Sequence, residues 1–65
     1  MNDRERIGQQ VAELRKGAGM TQYELATAAG IDVSNLSKIE RGVYNVSIDI
    51  LNRVCAAMGA KVTIE

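Results

Sequence analysis

Histidine, proline, tryptophan and phenylalanine are all absent from this 65-residue chain, and cysteine occurs only once. A lone cysteine cannot form a disulfide within the chain, and so few ligands cannot build a four-coordinate metal site. The same shortage leaves no pair of general base and nucleophile. We therefore expect no metal, no cofactor, no catalytic residue and no enzymatic activity.

Excess charge and long apolar runs are missing too. Eight acidic residues balance eight basic ones, so the net charge at pH 7 is zero, whereas nucleic-acid-binding domains are usually basic. Any affinity for DNA must therefore come from where the charges lie. No run approaches the roughly 20 apolar residues that span a bilayer, and the polar residues 1–5 do not resemble a signal peptide. We expect a cytoplasmic protein that does not bind membranes.

What the chain does contain is a pair of short helical patterns at residues 21–42. The first begins after Thr21, which forms with Glu24 the reciprocal capping pair of a helix start. It ends at Gly30, a residue that readily adopts the left-handed conformation of helix ends. The second follows the cap Asp32, carries apolar residues at offsets of three and ends at Gly42. Two helices with so short a joint predict a helix-turn-helix.

One further helix is predicted on each side of this pair. Asn2 starts a capping pattern ahead of a helix at about residues 3–16. Gly8 inside that helix costs roughly 1 kcal/mol relative to alanine, which is tolerable if another helix crosses closely there. The last helix follows the cap Ser47 and ends at Gly59. The apolar residues at helical spacing are Ile7, Val11 and Leu14 in the first helix, and Ile48, Ile50, Leu51, Val54, Cys55 and Met58 in the last.

The end of the chain changes to the period of a strand. Val62 and Ile64 alternate with polar residues, which is the pattern of a half-buried strand. Because no other segment predicts a strand, we expect this one to pair with its copy in a homodimer, and a frayed tail is the alternative. The chain is thus predicted to be one domain over residues 1–65, helical over residues 1–59, with a dimerisation strand at residues 60–65.

The motif residues also occur at the spacing of a known family. They are, in order, TQ-x-ELA at residues 21–26, Gly30, LSKIE-x-G at 36–42, N-x-S at 45–47 and AMG at 57–59. On these residues the sequence resembles the Cro/C1-type helix-turn-helix family of DNA-binding regulators. Val46 stands where the family usually has proline, and the strand replaces the fifth helix of many members. A strand ending is similar to that of some members that act as antitoxins.

The resemblance implies that the second motif helix enters the major groove of double-stranded DNA, which admits one α-helix. Family positions that face the bases or the groove correspond to Val33, Ser34 and Lys38. Val33 can pack on a thymine methyl group, Ser34 can hydrogen-bond to either base type, and Lys38 can donate to guanine. Asn35 suits a phosphate or the adjoining base edge. The alternative is that all of these residues form only the solvated face of a surface helix.

Phosphate contacts are expected on both sides of the reading residues. Gln22 resembles the family glutamine that grips a backbone phosphate together with the free amides of its helix, and ordinary solvation is the alternative. Ser37, Arg41 and Tyr44 lie after the reading turn or in the following loop, where hydroxyl groups and arginine suit phosphates. Tyr44 equally suits a lid over the core.

Four other residues have expected roles of a structural kind. Arg15 and Glu40 correspond to a family ion pair that joins the first helix to the reading helix. Removing one partner would cost roughly 3–5 kcal/mol if the pair is deeply buried and almost nothing if it is exposed. Asp32 would repel a phosphate, so capping explains its presence. For Cys55 a small core residue is favoured over a redox-sensing thiol.

These expectations combine into an all-α fold of four helices with a short C-terminal β-strand that pairs across a homodimer. The leading function is a sequence-specific DNA-binding transcriptional regulator. It would act as a homodimeric repressor of a palindromic operator whose half-sites lie roughly 10 bp or a multiple apart. The alternative is an antitoxin or adaptor that chiefly binds a partner protein, such as a toxin, and binds DNA for autoregulation.

Overall fold

The computed structural model describes residues 2–60, and these residues form four α-helices and no strand. The helices are α1 (Asp3–Gly17), α2 (Gln22–Ala29), α3 (Val33–Arg41) and α4 (Ile48–Ala57). The predicted all-α, four-helix fold is confirmed over this range. The predicted dimerisation residues Val62 and Ile64 lie outside the described residues.

The helix boundaries follow local capping chemistry. Thr21 Oγ1 accepts the Glu24 amide at 3.1 Å while Glu24 Oε1 accepts the Thr21 amide at 2.8 Å, which completes the predicted capping box. Asn2 forms the same reciprocal arrangement ahead of α1. At the other ends of α2 and α3, Gly30 and Gly42 have φ angles of 72° and 75°. Only glycine adopts these positive angles without strain, so both helices stop where the sequence predicted.

All four helices contribute to one core. Its nine buried residues are Val11, Leu25, Ala26, Ala29, Leu36, Ile39, Leu51, Val54 and Cys55. Leu25, Leu36 and Val54 are the largest of the fully buried side chains. Each comes from a different helix, so α2, α3 and α4 meet at the centre of the domain. Cys55 is a buried free thiol in this core, as predicted.

Two residues of the predicted apolar stripes, Leu14 and Ile48, are largely exposed. Leu14 keeps 46% of its surface exposed, because the buried face of α1 is formed by Gly8, Val11 and the half-buried Arg15. Those three residues have the spacing of one helical face, which places Leu14 at its edge. Ile48 keeps 56% of its surface exposed, since it is the first residue of α4 and lies beside the buried stripe of that helix.

The backbones of α1 and α3 touch at glycines. A Cβ atom added to Gly8 would overlap the carbonyl oxygen of Ile39 and lie 2.7 Å from that of Glu40. One added to Gly42 would lie 2.6 Å from the Cα atom of Glu5. The expected close helix crossing at Gly8 is therefore present, and it holds the C-terminal turn of α3 directly against α1.

Candidate nucleic-acid interface

Four polar residues of α3 share the face that points away from the core. Their spacing of three, four and seven residues is that of one helical stripe, so we name this set the α3 stripe: Ser34, Ser37, Lys38 and Arg41. Three of them are exposed and Ser37 is half-buried. Leu36 and Ile39 occupy the opposite side and are 0% and 2% exposed. Burial of Leu36 and Ile39 thus fixes α3 against the core, and the α3 stripe faces outward as a rigid polar surface.

The remaining predicted residues of α3 flank this stripe. Val33 lies at its edge with 37% of its surface exposed, an accessible apolar group in the first turn of the helix. Asn35 is half-buried on the other flank. The structure therefore brings Val33 and the α3 stripe onto one accessible side, and Asn35 points less directly away from the core.

The charge of the α3 stripe is positive although the whole chain is neutral. Lys38 and Arg41 carry its charges, and the stripe contains no acidic residue. Within residues 2–60 the ion pairs are those of Arg6 with Asp3 and of Arg15 with Glu40. The two cations of the stripe are in neither pair. A local positive surface in a neutral domain is the charge placement that DNA binding here would need.

Asp32 turns its carboxylate into the first turn of α3. Its Oδ1 accepts the Ser34 amide at 3.4 Å and its Oδ2 accepts the Ser34 hydroxyl at 2.9 Å. The carboxylate is thus occupied by the helix start, as its predicted capping role requires. The hydroxyl contact was not predicted. Because the Ser34 hydroxyl hydrogen is donated to Asp32, the Ser34 oxygen can accept a hydrogen bond from a donor group on a base edge.

Arg15 and Glu40 form the centre of a network that joins three elements. Arg15 Nε lies 2.7 Å from Glu40 Oε2, and the two side chains are only 12% and 7% exposed. Arg15 Nη1 also donates to the carbonyl oxygen of Met20 at 2.9 Å. This hydrogen-bonded carboxylate raises the pKa of Arg15 above its usual value, which keeps the guanidinium charged. With so little exposure, removing one partner should cost roughly 3–5 kcal/mol.

Gln22 belongs to the same network. Its Nε2 donates to Glu40 Oε1 at 3.0 Å, which ties the first residue of α2 to the C-terminal half of α3. The sequence contains no signal for this contact, because the two residues are far apart in the chain and neither is unusual at its position. Gln22 is half-buried, so part of its amide remains accessible.

Arg53 is a further contributor that sequence reasoning missed. From α4 it donates to the carbonyl oxygens of Ala29 at 3.2 Å and Gly30 at 3.0 Å. These carbonyls end α2, where the partial negative charge of a helix favours a cation. Arg53 therefore holds the turn between α2 and α3, and no local pattern indicates a contact between residues so distant in sequence.

Two tyrosines lie close to the predicted interface with different exposures. Tyr44 is half-buried and packs against the core, which supports the lid interpretation for part of its side chain. Tyr23 is 70% exposed in the first turn of α2, directly after Gln22. Sequence reasoning assigned Tyr23 no role, since its exposure beside a predicted phosphate contact is visible only in the structure.

Residues 2–60 contain no cluster of three or more side chains suited to hold a metal ion. None of the four helices is long and apolar enough to cross a membrane.

Comparison with known proteins adds a family and several relatives. A family model described as Helix-turn-helix matches residues 11–64. The immunity repressor protein of Bacillus phage phi105 is 39% identical over 57 residues, which cover 88% of this chain and 40% of that protein. Antitoxin PezA of Streptococcus pneumoniae is 37% identical over 49 residues, or 75% of this chain and 31% of the antitoxin. The chain thus spans less than half the length of these two relatives.

Solved structures give the same picture. The restriction-modification controller protein C.AhdI from Aeromonas hydrophila superimposes with a TM-score of 0.89 at 34% identity, over 91% of this chain and 89% of that one. A complex of the proteins SinR and SinI contains a chain that superimposes with a TM-score of 0.80 at 41% identity, over 85% of this chain and 54% of that one.

Proposed function

Because the chain belongs to the Cro/C1-type helix-turn-helix family, we propose that it is a sequence-specific DNA-binding transcriptional regulator. The observation that carries the proposal is the α3 stripe, which is polar, positively charged and opposite the buried Leu36 and Ile39. An α-helix with its side chains is about 10–12 Å across, which fits a major groove about 12 Å wide.

The proposed contacts divide into base readers and phosphate contacts. Lys38 donates to guanine, the Ser34 oxygen accepts from a base edge and Val33 packs on a thymine methyl group. Arg41 and Gln22 contact phosphates on either side of the groove. Ser37, Asn35 and the hydroxyl group of Tyr44 supplement these phosphate contacts from the flanks of α3 and the loop after it.

Two copies are proposed to bind one operator. A neutral domain with a single short reading helix gains little affinity from counterion release, so a second copy is needed to hold it on DNA. The operator would then be palindromic, with half-sites roughly 10 bp or a multiple apart. Val62 and Ile64 are the proposed contacts between the copies. Lysine substitutions at both positions in the full chain should give monomers in analytical ultracentrifugation, and dimers that persist would place the interface on the helices.

Repression is the proposed mode of regulation, and the relative in phage phi105 is an immunity repressor. A bound dimer would act by occupying its operator, with no catalytic step. We propose that the chain works as one domain over residues 1–65 and that it does so in the cytoplasm, where its DNA target lies.

Selection from a randomised duplex library tests the proposal directly. The wild-type chain should enrich a palindrome, and Lys38→Ala should lose roughly 1–3 kcal/mol of preference at one base pair of each half-site. Arg41→Ala should weaken binding evenly across sequences, because a phosphate contact reads no base. Lys16→Ala removes the same charge from an exposed position in the last turn of α1 and serves as the control. No enrichment by the wild-type chain would refute the proposal.

A second candidate is an antitoxin or adaptor that chiefly binds a partner protein. The similarity to antitoxin PezA favours it, and a relative of known structure is seen in a complex of SinR with SinI. On this alternative, a defined protein encoded beside this chain would form a stable complex that Lys38→Ala leaves intact. Such a complex together with weak operator preference would favour the antitoxin over the free-standing repressor.

A further inference from the structure

The carboxylate of Glu40 determines which way the Gln22 amide faces. Glu40 Oε1 accepts Gln22 Nε2 at 3.0 Å and Arg15 Nη2 at 3.2 Å, while Oε2 accepts Arg15 Nε at 2.7 Å. An ionised carboxylate only accepts hydrogen bonds, so the nitrogen end of the amide must point to it. The opposite orientation would place two acceptor oxygens against each other.

This orientation leaves a donor beside the start of α2. The Gln22 nitrogen carries two hydrogens, and within residues 2–60 its one described hydrogen bond is that to Glu40. The second hydrogen therefore lies on a half-buried side chain next to the first amides of the helix, which have no intrahelical acceptor. A phosphate oxygen only accepts hydrogen bonds, so it matches the donor end of this amide.

We propose that Glu40 is a positioning residue that aims the Gln22 amide at a backbone phosphate. This inference rests on the proposed DNA-binding function. Glu40 touches no DNA in this scheme and acts through Gln22. Arg15 neutralises Glu40, which otherwise would repel the phosphate, and also holds the Met20 carbonyl just before α2.

Methylphosphonate interference separates this role from a merely structural one. The probe is the duplex that the wild-type chain selects, synthesised with one phosphate at a time replaced by an uncharged methylphosphonate. In the wild type, one position in each half-site should weaken binding about tenfold, as expected for loss of a hydrogen bond to a charged group. Both Gln22→Met and Glu40→Gln should reduce the effect at that position to less than twofold and leave the base preference unchanged.

Glu40→Gln leaves one acceptor oxygen in place of two. That oxygen stays with Arg15 Nε, the shortest of the three contacts at 2.7 Å, so the new amide nitrogen faces the Gln22 nitrogen and turns the Gln22 amide over. Glu13→Gln is the matched control, since it removes the same charge from an exposed position on α1. In Glu13→Gln, methylphosphonate at the phosphate position that matters in the wild type should still weaken binding about tenfold. If Glu40→Gln fails to fold, Glu40→Asp replaces it, because the shorter side chain keeps the charge beside Arg15 but withdraws from Gln22.

Two results would overturn the inference while leaving the proposed function intact. One is a Glu40 variant that keeps the tenfold effect when Gln22→Met loses it. The other is a Glu40 variant in which every phosphate position is weakened evenly and base preference falls as well, which is the signature of a general loss of structure. A wild-type chain that selects no duplex would overturn both proposals together.

Discussion

Alanine at Gly8 should destabilise the protein even though it improves the helix. In an isolated helix the change gains about 1 kcal/mol from propensity. In the fold, the new Cβ would overlap the Ile39 carbonyl oxygen and lie 2.7 Å from the Glu40 carbonyl oxygen, against the 3.4 Å or more of an ordinary contact. Both are backbone atoms of α3 that cannot rotate away. The two helices must therefore separate.

The expected magnitude follows from these two opposing effects. Overpacking of this kind costs about 1–3 kcal/mol, and here the obstacle is backbone, so the upper part of that range applies. After subtraction of the propensity gain, we expect a net loss of about 2 kcal/mol. For a domain of this size that corresponds to a melting temperature roughly 10 °C lower.

Gly17→Ala provides a matched control on the same helix. Gly17 is the last residue of α1, its φ is not positive, and a Cβ added there meets nothing within 4 Å. Only the propensity gain remains, so this variant should be up to about 1 kcal/mol more stable than the wild type. Urea denaturation followed by circular dichroism, at one protein concentration, measures both changes. A Gly8→Ala variant as stable as Gly17→Ala would refute the reasoning.

Three further outcomes are expected. Arg53→Met should lower the free energy of unfolding by about 1 kcal/mol, because the carbonyls of Ala29 and Gly30 lose their donors, and urea denaturation measures it. Hydrogen bonds from Thr21, backbone first and hydroxyl second, lower the pKa of Glu24. Glu24 should therefore stabilise the fold at pH values above its unfolded pKa, and this stability should be lost as the pH falls through its folded pKa. In Glu24→Gln, the free energy of unfolding should fall less steeply with decreasing pH in this range, as measured by denaturation at several pH values. Burial raises the pKa of the Cys55 thiol, so a thiol reagent should label it slowly in the folded protein and quickly in urea.

Each of these outcomes has a control or a contrary result. Arg6→Met removes an arginine whose ion pair with Asp3 is largely exposed, and it should change stability little. An Arg53→Met variant equal to it would mean that the turn needs no support from α4. A free energy of unfolding that falls as steeply with pH in Glu24→Gln as in the wild type would mean that the capping hydrogen bonds do not favour the ionised form. Equal labelling rates of Cys55 with and without urea would mean that its part of the core opens readily.

The features predicted correctly from the sequence were the local ones. The capping box of Thr21 and the stop at Gly30 depend on residues a few positions apart, so their chemistry is visible in the chain. Gly8 is an instructive exception, since an unfavourable residue inside a helix indicated a distant partner that proved to be α3. The pairing of Arg15 with Glu40 was expected from the family resemblance, because nothing in the spacing indicates it.

The features that were missed depend on long side chains reaching across the fold. Arg53 extends to the turn after α2 and Gln22 extends to Glu40, and neither contact changes the hydrophobic pattern from which the helices were predicted. Leu14 has the predicted spacing of the apolar stripe and is nevertheless exposed, because periodicity identifies an apolar stripe but not how much of it the neighbouring helices cover. On the buried face of α1, Arg15 rather than Leu14 packs against the rest of the fold.

The separation of α3 into a buried side and an accessible side has a consequence for how such a protein diversifies. Leu36 and Ile39 supply its contribution to the core, whereas the α3 stripe supplies none. Substitutions of its exposed residues Lys38 and Arg41 thus have little folding cost, and each can be accepted or rejected on its effect on binding. Duplicated copies of such a gene could acquire new targets by single changes on this surface while the scaffold stays the same.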